Sequence, residues 1–247
     1  MASMTVHILR CGTVHLPRRG GPFAGRETLP VWCYLIEHPI QGLFLVDTGL
    51  GEDPLPPALR RYYRPEPGMP IARQLAARGV RPGELSAVLL SDLDPDHTGG
   101  LRSLRGAKRF LVSEEEYYWT ARDTFSRRQP RSLWDCGIPL EAYYLRGSPI
   151  GPAQHALDLF GDESVISVLS HGHTFGNCTT VLQWNGKKLY LTGNAVRCGQ
   201  ALTDDFVYHR YQQDKTVRWL REMAAESACV AVLATHDPDE RERTITL

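Results

Sequence analysis

Apolar and β-branched residues along the chain fall into short runs separated by turn residues, a pattern of many short strands with a few helices between them. "TVHILRC", "VWCYLIE" and "GLFLVDTG" read as strands, and "HPIQG" as the turn joining the last two. "PIARQLAARGV" has helical spacing and stops at Gly79, after which "LSAVLLS" is a nearly unbroken apolar run of the kind found in a strand buried on both faces. "KRFLVS" is strand-like, and "SEEEYYWTAR" reads as a helix opened by a capping box of Ser113 and Glu116. The segment 121–144, rich in Arg and aromatics, reads as a loop that walls a pocket. A second strand-rich half follows in "HALDLFGDESVISVLSHGH" and "TVLQWNGKKLYLTGN", whose Asn185-Gly186 is a two-residue hairpin signal. "DKTVRWLREMAAESA" then predicts an amphipathic helix and "CVAVLATHD" a strand that delivers His236. No Pro- or Ser-rich linker or repeat divides the halves, so the pattern predicts one α/β domain over residues 1–247, with the three residues before Met4 read as a cloning remnant.

Composition narrows the function more than the fold. Lys plus Arg and Asp plus Glu each number 28, so no basic field exists to attract nucleic acid or an anionic membrane surface. The apolar runs fall far below the roughly 20 residues needed to span a bilayer, and polar residues interrupt the N-terminus where a signal-peptide core would sit. Six cysteines without a C-x-x-C pair fit reduced, mostly buried thiols. The expectation is a cytoplasmic protein acting on a small molecule, with a homodimer left open.

Four polar sites each lie just past the end of a predicted strand: Asp92 to His97 in "LLSDLDPDHTGG", His171 with His173, Asn194, and His236. Loops from several strands converge at such ends in α/β folds. Carboxylates spaced like Asp92, Asp94 and Asp96 repel one another unless a cation or shared proton intervenes, and alternate residues of an extended segment point the same way. Carboxylates joined by imidazoles from His97, His173 and His236 suit zinc, manganese or iron; an all-oxygen cage would suit calcium or magnesium instead. The simpler reading is a solvated Asp-rich turn capping a helix near Asp96 or His97.

Taken in order, "VLLSDLDPDHTGGL", "SHGHTFGN", "LTGNAV" and "ATHDPD" resemble the motif series of the metallo-β-lactamase superfamily, H-x-H-x-D-H followed by a GHT histidine, a bridging aspartate and a last histidine. "LPVWCYLIE", "LVDTG" and "DLFGDESV" bring the resemblance closest to the N-acyl homoserine lactonase branch. It implies an αβ/βα four-layer sandwich holding one or two divalent metal ions, zinc first with manganese or iron as alternatives. The implied ligand positions are Asp92, Asp94, Asp96, His97, His173, Asn194 and His236.

The departures from that pattern set the question. Asp92 and Asp94 stand where the first two histidines are expected, leaving Asp96, His97 and His236 as a complete ligand set for one ion and His173 as the single histidine of the other. Asn194 replaces the bridging aspartate, and a neutral amide offering one good oxygen clamps two cations poorly. Harder ions should gain relative to zinc, and the second metal should bind more weakly. Arg197 falls where lactonases carry a tyrosine, and a guanidinium can polarise a carbonyl or bind a carboxylate but cannot donate as a phenol does. The implied activity is hydrolysis of a small lactone or ester, with Asp96 orienting water, Arg197 at the substrate carbonyl, and His171 as a proton carrier or, equally, a structural histidine. The alternative is a catalytically impaired relative that binds metal or ligand without turnover. A flavodiiron-like redox role lacks a flavin domain, and a nuclease lacks a basic arm.

Overall fold

The computed structural model describes residues 2–17, 26–122, 129–197 and 209–247. Its strands are β1 (Thr5–Pro17), β2 (Arg26–His38), β3 (Gly42–Val46), β4 (Tyr63–Arg64), β5 (Leu85–Leu90), β6 (Phe110–Ser113), β7 (Glu141–Tyr143), β8 (Ala156–Asp158), β9 (Val165–Leu169), β10 (Cys178–Trp184), β11 (Lys187–Leu191), β12 (Cys229–Leu233) and β13 (Arg243–Thr246). The helices are α1 (Ile71–Ala77), α2 (Pro95–Thr98), α3 (Glu114–Arg122), α4 (Arg131–Trp134) and α5 (Arg210–Ala224). One sheet runs β13-β1-β2-β3-β5-β6-β7 with β4 alongside β1, and the other runs β12-β11-β10-β9-β8.

Period-two alternation explains why two sheets stack. On β2, Trp32, Tyr34 and Ile36 face the second sheet, where they meet Val165, Leu182, Leu189, Leu191 and Leu233. Cys33 and Leu35 face the other way, onto α1 through Ile71 and Leu75. The outer face of the second sheet, Ile166, Val168, Val181 and Tyr190, is covered by Val217, Trp219 and Leu220 of α5. The layers are therefore helix, sheet, sheet, helix, the αβ/βα sandwich. β5 is buried on both faces because its neighbours β3 and β6 are parallel to it and helices cover its outer side.

The Asn185-Gly186 turn has φ of 50° and 74°, as the primed hairpin turn requires, and joins β10 to β11. The capping box on α3 is half formed: Ser113 Oγ accepts the Glu116 amide at 3.1 Å, but the Glu116 side chain turns away from the helix start. The segment 121–144 is not simply a loop. It carries α4 and β7, and Trp134, Cys136 and Ile138 pack into the outer core of the first sheet, while Arg122 lines a cavity with Tyr118, Trp119 and Phe175. Residues 123–128 of it lie outside the described residues. The five described cysteines are free thiols, while Cys198 lies outside that set. Among the described residues no helix is long and apolar enough to cross a membrane.

Candidate metal centre

β3, β5, β9, β11 and β12 all end at one edge of the sandwich, and the residues just beyond them meet there. β5 delivers "SDLDPDHTGG". Pro95 starts α2 with Asp94 as the preceding residue, and the short helix turns Asp96 and His97 inward. Two close approaches hold this loop against the turn after β3. A Cβ on Gly51 would lie 2.0 Å from the Gly99 carbonyl oxygen and one on Gly100 2.4 Å from the Thr48 carbonyl oxygen, so neither chain segment tolerates a side chain at that crossing.

Asp92, Asp94, Asp96 and His97 are all buried, as is His173 at 9% exposure. Ligand atoms of Asp92, Asp94 and His173 lie within 4.8 Å of one another. His173 Nε2 stands 3.2 Å from Asp94 Oδ2, and His236 Nε2 stands 3.0 Å from Asp96 Oδ2. His97 Nε2 lies 3.7 Å from Asp92 Oδ1 and 3.6 Å from Asp96 Oδ2. Asn194 places its Nδ2 at 2.8 Å from His97 Nε2. All seven ligand positions read from the sequence therefore converge.

The other two expected residues sit differently. Arg197 forms an ion pair with Glu27. His171 packs edge-on against Phe175 at 6.3 Å and hydrogen-bonds Gln212 of α5; burial lowers its basicity, and His209, Lys215 and His155 lower it further. The cationic surroundings of that ring contrast with the carboxylates around His97.

Two carboxylates outside the predicted ligand set organise the centre. Asp47, at the end of β3 with φ of 63°, accepts the Ser91 amide at 2.8 Å and sits 2.9 Å from His97 Nδ1. Its acceptor fixes the tautomer, leaving the Nε2 of a neutral His97 as a lone pair directed at the cluster. "LVDTG" contained the signal, since an Asp at a strand end before Gly marks a special backbone site. Glu116 accepts the Leu93 amide at 3.0 Å, the Gly176 amide at 3.1 Å and Gln129 Nε2 at 2.7 Å. It ties the loop of Asp92 and Asp94 to the loop of His173. The sequence marks Glu116 only as a helix cap, three residues after Ser113, and gives no sign of this tie. His236 is oriented from β2, its Nδ1 donating to the Pro30 carbonyl at 2.9 Å while Trp32 Nε1 donates to the Asp237 carbonyl at 2.9 Å.

The charge balance shows that the residues fit a cation. Asp47, Asp92, Asp94, Asp96 and Glu116 are five buried carboxylates set against three imidazoles. Burial, with Asp94, Glu116 and Asp96 adding to it, pushes Asp92 well above the ordinary carboxylate range despite His97. Burial also acts to raise Asp96, but His97 and His236 outweigh it and hold that carboxyl below its usual value. Burial opposes a proton on His97, yet Asp47, Asp92 and Asp96 raise its basicity well above that of a free imidazole. Asp92 Oδ2 and Asn194 Oδ1 are buried without a hydrogen-bond partner, and an unmatched buried carboxylate oxygen is what a bound cation would satisfy.

Known proteins place this arrangement. A family model described as the metallo-beta-lactamase superfamily matches residues 26–236. A "probable metallo-hydrolase", Rv2300c of Mycobacterium tuberculosis, is 27% identical over 98% of this chain and 75% of its own length. Among solved structures, a quorum-quenching N-acyl homoserine lactone hydrolase superposes with a TM-score of 0.76 at 18% identity, covering 96% of this chain and 93% of that one. The dizinc quorum-quenching lactonase AidC does so with a TM-score of 0.70 at 15% identity, covering 96% and 88%. With the family model spanning all four ligand loops, the chain belongs to the metallo-beta-lactamase superfamily.

Proposed function

We propose that this chain is a metal-dependent hydrolase that opens a small lactone or ester. The observation that carries the reading is the convergence at the strand ends of buried Asp92, Asp94, Asp96, His97 and His173 with half-buried His236, where the further buried carboxylates Asp47 and Glu116 bring carboxylates to five against three imidazoles. These residues, with Asn194, would hold one or two divalent ions; zinc, manganese and iron all suit such a donor set. When bound, such an ion supplies Lewis acidity, making nearby water more acidic and an ester carbonyl more electrophilic. Asp96 holds and orients the proton of the attacking water. Arg197, kept in place by Glu27, presents donors to the substrate carbonyl or to a carboxylate on the substrate. The lactone hydrolases among its structural relatives support this substrate class.

The test is reconstitution of metal-stripped protein with zinc, manganese or iron, followed by assay on lactones, thioesters and aryl esters. Turnover that a chelator abolishes is expected. Tight metal binding with no turnover of any of these would leave a binding protein in place of an enzyme, the reading that the Asn194 contact to His97 favours.

A further inference from the structure

The two ligand groups of the centre are not equally available. His97 has both ring nitrogens engaged: Nδ1 by Asp47 at 2.9 Å and Nε2 by the Asn194 amide at 2.8 Å. An amide suits either state of the ring, since its NH2 donates to a lone pair and its oxygen accepts from an N–H. The aspartate expected at that position could accept only from a protonated ring, and would release the lone pair to a cation. Asp96 and His236 face each other at 3.0 Å, but His173 and Asp94 do so at 3.2 Å, so it is the hold on His97 that separates the two groups. Around Asp92, Asp94 and His173 the balance differs. Two carboxylates face one imidazole, and among the described residues only these three place ligand atoms within 4.8 Å of one another; Asp92 Oδ2, like Asp96 Oδ2, is buried with no hydrogen-bond partner.

We propose that this chain holds its tightly bound ion at the Asp92–Asp94–His173 position, and that Asn194 weakens the Asp96–His97–His236 position by holding His97. This reverses the ranking that ligand identity alone suggests. Two carboxylates and one imidazole favour manganese(II) relative to the one carboxylate and two imidazoles of the other position, which suits zinc. The inference specifies the metal on which the proposed hydrolysis rests. It also accounts for three substitutions together: Asp92 and Asp94 strengthen one position with negative charge, while Asn194 withdraws a charge from the other.

The direct test is pulsed electron paramagnetic resonance on the full chain loaded with manganese(II), counting imidazole nitrogens coupled to the ion. One imidazole is expected; two would overturn the proposal, as would failure to retain manganese after desalting. His173→Ala should lose the retained manganese and His236→Ala should keep it, with circular dichroism establishing that both are folded. The opposite pattern overturns the assignment. Asn194→Asp should raise retained metal from one equivalent to two, and an unchanged stoichiometry would remove Asn194 from the account. Activity is read separately. A two-imidazole signal in a protein that still hydrolyses esters sinks this inference and spares the proposed function; a one-imidazole signal without turnover does the reverse.

Discussion

Glu116→Gln is the substitution whose effect the structure specifies most fully. The carboxylate joins the Asp92–Asp94 loop to the His173 loop by accepting the amides of Leu93 and Gly176, one on each oxygen. Glutamine has nearly the same shape, but its NH2 cannot accept, so one of those buried amides loses its partner at a cost of about 1–3 kcal/mol. An opposing term is present: Glu116 is one of the charges that raise Asp92, and neutralising it relieves that repulsion. The net loss should sit toward the lower end, and at roughly 2–4 °C per kcal/mol for a chain this long it appears as a fall of a few degrees in melting temperature. Manganese affinity should fall by about 10–100-fold, the usual cost of disturbing a group that orients ligands. Thermal denaturation with and without manganese, alongside a metal titration, measures both. A variant that melts with the wild type and binds manganese equally well would refute Glu116 as the tie between the loops. The clamp leaves no room for error at its far end, because a Cβ on Gly176 would lie 2.0 Å from the Glu116 backbone nitrogen.

Other outcomes follow from the same charge balance. Saturating manganese at about 100 times its dissociation constant should stabilise the protein by roughly 2.7 kcal/mol, reversibly with chelator, and an unchanged melting curve would contradict a preformed site. Asp92→Asn should raise the melting temperature of the metal-free protein at neutral pH while abolishing tight manganese binding; a lower melting temperature would mean that Asp92 is not a destabilising charge. Asp92 has a raised pKa in the fold, so the metal-free protein binds that proton more tightly than the unfolded chain does. This group's contribution to stability should therefore decline as pH rises from the ordinary carboxylate range toward the raised value, and Asp92→Asn should flatten that part of the stability profile. Asp92→His combined with Asn194→Asp should tighten zinc binding and raise lactone or ester hydrolysis, whereas no gain in either would locate the divergence in the pocket walls.

Much of this was legible in the sequence because it is periodic or local. β2, β5 and β10 announce themselves by apolar alternation or by an unbroken apolar run, and Asn185-Gly186 by the backbone signs its turn requires. The ligand loops were legible because each follows a strand directly. What escaped depends on partners distant in sequence. β13 is a short strand paired with β1 across nearly the whole chain, and its "RTIT" carries no pattern that a loop could not. Trp134 and Ile138 sit in an Arg-rich stretch, but their burial is decided by the outer face of the first sheet. Glu116 reads as a helix cap because Ser113 stands three residues before it; only the fold shows that Leu93 and Gly176 compete for its carboxylate and win. The ranking of the two ligand positions was illegible for a similar reason, since it turns on where one amide meets one ring.

The most direct test of the central claim is anomalous diffraction from crystals soaked in manganese. A strong peak is expected within bonding distance, roughly 2.0–2.6 Å, of Asp92, Asp94 and His173. Crystals with no peak there, or with a peak only at Asp96, His97 and His236, would contradict it.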